Sequence, residues 1–289
     1  MRQLRSLGQV TEIALLRMAG SEVLDRGDYL CMRTPQNPTF HWGNWLLYRS
    51  APRKDEFLRW TEDFKAEFAS LPHVKHMTFG WDDPSGASGD LAPFQAAGFV
   101  EDRAVVLTAS SVHASTTRSR SSHPIKQDIR PLQTDHEWQD LIDLQFLCRD
   151  PKYAAGPHRL FVERRYTAYR TMVNQGFGQW HGAFIGAKLV ATLGLFFEKD
   201  AGDAQTPSRT IGRFQNVATH PDYRRQGLCA NLVYQISHQS LEEKRAAVLV
   251  MLADPGYHAA RIYESVGFKP TERLSGIVLA GAGTLTEKR

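Results

Sequence analysis

The run Val217-Ala-Thr-His-Pro-Asp-Tyr-Arg-Arg-Gln-Gly-Leu-Cys-Ala-Asn-Leu232 constrains the fold of this chain more than any other segment. It begins at the end of a stretch, Arg209 to Thr219, that reads as a strand. Pro221 marks a turn. Gly227 then opens an apolar-periodic segment, Leu228 to Glu243, that reads as a helix. A strand that feeds a helix through a tight glycine loop aims consecutive backbone N–H groups into one concavity, with the positive end of the helix dipole behind them. Gly227 has no Cβ to hold a ligand away from the backbone. Arg224 and Arg225 add charged donors suited to phosphate oxygens. The spacing is not that of a P-loop, because no Gly-Lys-Ser/Thr follows, and a single glycine is too few for a dinucleotide fingerprint.

Elements of the same alternating kind surround this run. Ile125 to Leu132 reads as a short strand. Asp135 to Cys148 is periodic at a helical spacing, with Thr134 as N-cap and Glu137 three residues on, a capping-box pattern. A second helix is expected over His158 to Val173. Gly178 to Ile185 and Leu189 to Phe197 form a hairpin around Gly186-Ala-Lys188. Ala246 to Leu252 is an apolar run too short for a helix and typical of a buried strand. Tyr257 to Val266 reads as a short helix ended by Gly267, and Arg273 to Leu279 as a last strand. The order β-α-α-β-β-β-α-β-α-β predicts an α/β domain with a mixed sheet.

The 289 residues are enough for two ordinary domains, and a composition of 42% hydrophobic and 23% charged residues argues against disorder over most of them. A stretch rich in Ser and Thr, from Thr108 to Pro124, has almost nothing to bury and reads as a linker. The expected organisation is an N-terminal lobe (1–109), a linker (110–124) and a C-terminal domain (125–289). The N-terminal lobe opens with an amphipathic helix. It continues with a strand from Trp42 to Arg49, a helix from Asp55 to Ser70, a strand from His73 to Gly80, a partly helical Asp90 to Gly98 and a strand from Phe99 to Ala109. Its segment Phe94-Gln-Ala-Ala-Gly-Phe99 is similar to Tyr263-Glu-Ser-Val-Gly-Phe268, a sign of internal duplication.

With Arg224, Gly227 and Cys229 in place, the run Val-x-x-x-Pro-x-x-Arg-x-x-Gly-Leu-Cys resembles the pyrophosphate-binding motif of the GNAT (GCN5-related N-acetyltransferase) superfamily. Cys229 stands where that motif has Gly or Ala. Ala259, Tyr263, Gly267 and Phe268 match a second segment of the family, whose Asn position holds Gly256 here. The resemblance covers about 155 residues, by the notation of the two motifs and the order of elements, and implies a GNAT fold: a mixed, mostly antiparallel central sheet flanked by helices. The N-terminal half is similar to a reduced second lobe without an Arg-x-x-Gly loop, expected to shape the acceptor pocket or stabilise the fold.

The resemblance further implies that acetyl-CoA is the acyl donor. It would lie between the strand ending at Thr219 and the strand Ala246 to Leu252. Val217, Ala218, Thr219, Arg224, Arg225, Gln226, Gly227, Leu228, Cys229 and Ala230 are the implied cofactor-binding residues. Backbone amides after Val217 would polarise the thioester carbonyl. Tyr263 would protonate the departing thiolate, although a tyrosine on the apolar face of a short helix also fits an ordinary core residue.

The acceptor is expected to be a primary amine, on a small molecule or a peptide. Phe214-Gln215-Asn216-Val217 carries no carboxylate for a general base, so His181, Glu198, His220 and Asp254 enter by their places near strand ends. Cys229, at a helix start, fits a small residue tolerated in a phosphate loop better than a reactive thiol. His73 and His76, three apart in an expected strand, would point to opposite faces and are set aside as metal ligands. Trp42 and Trp45 read as packing. The three cysteines match no metal spacing and fit a reducing cytoplasm, and no apolar stretch is long enough to span a membrane. The net charge of +4 is scattered, which favours a phosphate-bearing small molecule over nucleic acid. Two other functions compete: a non-catalytic acetyl-CoA sensor or scaffold, and an acyltransferase that takes its donor from aminoacyl-tRNA.

Overall fold

The computed structural model describes residues 3–115, 126–151, 154–200 and 208–281. Most of the expected linker lies outside the described residues. The N-terminal half contains α1 (Leu7–Met18), β1 (Glu22–Asp25), β2 (Tyr29–Arg33), β3 (Trp45–Tyr48), α2 (Phe57–Phe68), β4 (Met77–Trp81), α3 (Ala92–Ala96) and β5 (Val100–Ala109). The C-terminal half contains β6 (Asp128–Pro131), α4 (Asp135–Leu147), α5 (Ala155–Asn174), β7 (Gly178–Ile185) and β8 (Lys188–Asp200). It continues with β9 (Arg209–Thr219), α6 (Leu228–Glu242), β10 (Val248–Ala253), α7 (Ala259–Glu264) and β11 (Lys269–Leu279).

These strands form a single 11-stranded sheet in the order β1-β2-β3-β4-β11-β5-β10-β9-β8-β7-β6. Pairing is parallel for β3 with β4 and for β9 with β10, and antiparallel elsewhere. Apart from β6 at one edge, the order maps onto itself when β1 to β4 are matched with β7 to β10 and β5 with β11. The last strand of each half has crossed to the other. β11 pairs with β4 and β5, and β5 pairs with β10 and β11. The two lobes are therefore one continuous sheet, not two bodies joined by a tether.

The similar segments of the two halves sit at equivalent turns. Phe94 and Tyr263 are buried on α3 and α7, Gly98 (φ 91°) and Gly267 (φ 109°) reverse the chain in the left-handed region, and Phe99 and Phe268 are buried.

The pleat sorts side chains into two layers. Leu30, Met32 and Leu47 pack with α1, α4 and α5 on one face, while Cys31, Leu46 and Tyr48 pack with α2 and α3 on the other. α6 and α7 cover the C-terminal half with Leu232, Val233, Tyr263 and Phe268. The capping box of α4 is present, with Thr134 and Glu137 each accepting from the other's backbone N–H.

α1 is fixed across the sheet by carboxylates from both halves. Its first-turn donors at Leu7 and Gly8, with the Ser6 hydroxyl, reach Glu272 of β11 at 2.6–3.2 Å. Asp82, just past β4, accepts from the backbone N–H groups of Arg5 and Ser6. Five residues into the helix, Glu12 accepts from Arg213 of β9 at 2.8 Å, with both side chains buried. Removing one partner of such a buried pair costs about 3–5 kcal/mol, because the other charge is left unpaired.

The structure departs from the sequence expectation in the N-terminal lobe. β1 and β2 were not anticipated: β1 is four residues long, and β2 is buried on both faces and so shows no alternation. The expected strand from Trp42 begins only at Trp45. His41–Gly43 is a short 3-10 turn, because the Asn44 side chain accepts from Thr34 N–H and donates to the carbonyls of Asn37 and Phe40. The expected strand from His73 begins at Met77. His73 is exposed and His76 is buried, so they are separated by burial and not by strand pleating.

Within this lobe the rings of His41 and His76 lie 4.2 Å apart. Burial drives both toward the neutral form: His41 is lowered to about 3, with His76 adding to the effect, and His76 to about 4. Their folded values lie below the unfolded value near 6.5. The stability they confer is therefore complete above pH 6.5 and is lost as the pH falls from there toward 4. Linkage gives roughly 2 kcal/mol per histidine at pH 5. Urea unfolding should show this loss between pH 7 and pH 5, and His41→Phe should flatten the profile. An unchanged profile in the variant would contradict the account.

Candidate functional site

The parallel pairing of β9 with β10 stops at Arg213 and Val250. Beyond it the two strands follow different neighbours. β9 continues along β8 to Thr219, opposite Ala191, and β10 continues along β5 to Ala253, opposite Val105. A fork opens between them at their C-terminal ends.

A bulge sharpens the fork. Gln215 faces Gly194 and Ala218 faces Thr192, so Asn216 and Val217 stand opposite Leu193 alone. Asn216 takes the left-handed conformation (φ 43°). Its amide donates to the Tyr166 hydroxyl at 2.8 Å, and its carbonyl accepts from the Gln145 amide at 3.1 Å. The neighbouring Gln215 accepts from the Tyr169 hydroxyl at 2.8 Å. α4 and α5 thus grip the bulge through the Gln215 and Asn216 side chains and the Asn216 carbonyl.

Past Thr219 the chain makes a short turn over Pro221–Tyr223, tied by Asp222 N–H donating to His220 Nδ1. Arg224 Nε donates back to the Thr219 carbonyl at 3.2 Å, and the Cys148 thiol reaches the same oxygen at 3.5 Å. Gln226 Nε2 donates to the Asp222 carbonyl. Arg225 (φ 63°) and Gly227 (φ 78°) are both left-handed, and α6 begins at Gly227 with no side chain capping it. The first-turn donors of Leu228, Cys229 and Ala230 therefore face the loop, beside the exposed Arg225. An uncapped helix start of this kind is an anion-binding geometry.

The equivalent place in the N-terminal lobe is closed. β3 and β4 stay paired to Tyr48 and Trp81, and Asp82 N–H donates to the Tyr48 carbonyl beyond them. The Tyr48 and Trp60 rings stack at 3.8 Å. α2 starts at Glu56, whose carboxylate accepts from Arg53 N–H and from the Arg59 guanidinium. A carboxylate held by two arginines stands at this helix start, where the C-terminal lobe has Gly227.

Tyr263 projects from α7 into the cluster that holds Leu228, with Cys229 and Ala230 at its edge. Burial, then Cys229 and Tyr257, raises its phenol well above the usual value near 10. It stays protonated at neutral pH, a state suited to donating a proton. The Cys229 thiol is pushed up to about 11 by burial, so it is no thiolate near neutrality.

The base candidates divide by place. His181 lies on β7, lowered to about 4 by burial and then by Arg245 at the far end of α6. Glu198 pairs with Ile211, toward the end of β9 away from Thr219. Neither is at the fork. His220 and Asp254 follow the last residues of β9 and β10 and stand at its mouth. The His220 imidazole is lowered by burial and then by Lys188, and Asp254 accepts from Gly256 N–H.

Sequence reasoning missed Gln145, Cys148, Tyr166 and Tyr169, which hold the bulge and the Thr219 carbonyl. Only the two amides Gln215-Asn216 inside an apolar strand hinted that partners were needed. Among the described residues no three His, Cys, Asp or Glu side chains gather as a metal site, and no helix is long and apolar enough to cross a membrane.

The comparisons with known proteins agree with this geometry. Residues 178–270, which span the fork, its loop and Tyr263, match the acetyltransferase (GNAT) domain family. A functionally unknown conserved protein from Staphylococcus epidermidis has a similar structure, with a TM-score of 0.67 and 12% identity over 89% of this chain and 93% of the other. A GCN5-related N-acetyltransferase from Kribbella flavida is similar over 96% of this chain and 97% of its own, with a TM-score of 0.60 and 14% identity. A GCN5-related N-acetyltransferase from Sphaerobacter thermophilus covers 89% and 82%, with a TM-score of 0.51 and 13% identity. At these identities the likeness is one of fold, and it extends over both lobes. No curated protein is significantly similar to the chain in sequence.

The bulge predicts a substitution pattern at Asn216. Glycine accepts its left-handed backbone, while a β-branched residue does not. Asn216→Val should destabilise by roughly 2–3 kcal/mol, combining about 1–2 for the backbone with about 1 for the lost side-chain hydrogen bond. Asn216→Gly should cost about 1 kcal/mol or less. Urea denaturation measures both, and equal losses would contradict the bulge geometry.

Proposed function

Because residues 178–270 are a GNAT acetyltransferase domain, we propose that the protein transfers an acetyl group from acetyl-CoA to a primary amine by direct attack on the thioester. The observation that carries this reading is the pairing of the uncapped start of α6 with the β9–β10 fork. The pyrophosphate takes the helix mouth, where the donors of Leu228, Cys229 and Ala230 and the Arg225 guanidinium meet it. The pantetheine arm follows β9 from Thr219 through Ala218 to Val217.

In the reaction the amine nitrogen attacks the carbonyl carbon. The carbonyl oxygen gains charge, and a backbone N–H after Val217 stabilises it, because a fixed donor needs no reorganisation when charge develops. The C–S bond then breaks. The thiolate takes a proton from Tyr263, the nitrogen releases one to solvent, and the phenolate regains one from solvent, which restores the enzyme. His220 and Asp254 stand at the mouth through which that proton leaves. A phenol held protonated by burial carries a proton near neutrality and cannot serve there as a base.

Isothermal titration of the full chain with acetyl-CoA tests the donor site. Wild type should bind, and Gly227→Trp, which fills the helix mouth, should weaken binding at least tenfold while circular dichroism stays native. Tyr263→Phe should keep the affinity and lower the rate of thiol release by about 100-fold. No binding to wild type would remove acetyl-CoA as donor, and unchanged release in the tyrosine variant would remove Tyr263 from the chemistry.

A further inference from the structure

A cavity of about 250 Å3 lies between the lobes, on the face of the sheet opposite α6. α1 supplies Glu12, Leu15 and Leu16, the loop before the 3-10 turn supplies Phe40, α5 supplies Tyr169, and β9 supplies Gln215. Gln215 lies two residues past the last β9–β10 pair and one before the bulge. The floor of the cavity is thus the segment of β9 at which the fork opens, approached from the side away from the phosphate loop. A molecule seated here meets the thioester site end-on, and the N-terminal lobe forms half of its walls.

The cavity has a charge pattern. Glu12 lies at its inner wall, where Arg213 engages Oε2 and no described residue bonds Oε1. The middle is apolar, from Leu15, Leu16 and Phe40. Arg164 and Arg165 line it from α5; Arg164 is exposed, and Arg165 lies over the Phe40 ring at 3.9 Å. Glu12 and the exposed Arg164 give the lining one group of each sign. A plain cationic amine engages only the first, whereas an amine with an anionic tail engages both. The volume is near the low end for small-molecule sites, which suits a compact ligand.

Resting on the transfer reading above, we propose that this cavity is the acceptor site and that its acceptor is an ω-amino carboxylate. The amine meets Glu12 and the Gln215 amide oxygen, the methylene stem packs on Leu15, Leu16 and Phe40, and the carboxylate meets Arg164. Glu12, a residue of the N-terminal lobe, is then a specificity determinant for a reaction performed by the C-terminal lobe.

The test titrates the full chain with the straight-chain series from glycine to 6-aminohexanoate, and with hexylamine and hexanoate, which each lack one charge. Affinity should rise along the series, and both single-charge analogues should bind at least tenfold more weakly than 6-aminohexanoate. Arg164→Ala, at an exposed position, should bring 6-aminohexanoate down to the level of hexylamine and leave hexylamine unchanged. Glu12→Gln leaves Arg213 buried without its partner, so it is paired with Arg213→Met; that double variant should lose both amine ligands. Ala168→Trp, which fills the cavity from α5, should lose every member of the series.

Acetyl-CoA is titrated separately into Arg164→Ala and Ala168→Trp and should bind as in wild type. Amino carboxylate binding without acetyl-CoA binding would leave the cavity assignment standing and sink the transfer reading. Acetyl-CoA binding with no response to any of the series, equal affinity for hexylamine and 6-aminohexanoate, or full binding in Ala168→Trp would overturn the acceptor assignment.

Discussion

The antiparallel pairing of β5 with β11 is the interaction on which the rest of the molecule depends. It runs from Lys269 opposite Thr108 to Val278 opposite Val100, at the centre of the sheet. Each strand also pairs outward with the half to which it does not belong in sequence. Neither lobe can complete its sheet alone, because each lacks the strand that the other supplies. The apolar faces follow. Leu274 packs with Ala104, Val106, Ile211 and Val250 in a cluster drawn from both halves, and α1 crosses it with its N-terminus bonded to Glu272.

This arrangement gives the two related halves different fates. In both, two parallel strands flank a helix, and the second strand also pairs with an exchanged partner. In the N-terminal lobe the parallel pair stays closed over stacked aromatic rings, with Glu56 at the helix start. In the C-terminal lobe the pair separates after Arg213, and a glycine, not a carboxylate, opens the helix. Arg213 is also the residue that Glu12 holds from the other lobe. The buried ion pair therefore sits where the fork begins, and the position of α1 is coupled to the geometry of the site. The fork thus has a bare helix mouth on one face of the sheet and a cavity lined by Glu12 and Arg164 on the other.

Much of the C-terminal half was legible because its signals are local. The bounds of β9, the start of α6, the capping box at Thr134 and the turn at Gly267 each follow from residues within one or two turns of chain. The Gly227 loop was legible for the same reason: a glycine between a strand and an apolar-periodic helix has few other uses. What escaped the sequence depends on distant partners. The similar Phe94 and Tyr263 segments show that the halves are related, but nothing in β5 or β11 says which neighbour each will choose, since ladder hydrogen bonds are made by backbone groups common to every sequence. β2 escaped because full burial erases alternation. Nothing local marks Glu12, since its partner is 201 residues away. Gln145, Tyr166 and Tyr169 became meaningful only once α4 and α5 were laid over the bulge.

The central claim is that the exchanged strands make the two lobes one cooperative body. Native-state hydrogen exchange tests it most directly, by following the amides of residues 100–109 and 269–279 at low denaturant. The account predicts that both segments exchange through one global opening, with the same free energy and the same dependence on denaturant. If residues 100–109 opened with the N-terminal strands at a lower free energy while residues 269–279 stayed protected, the lobes would be separate units and the account would be wrong.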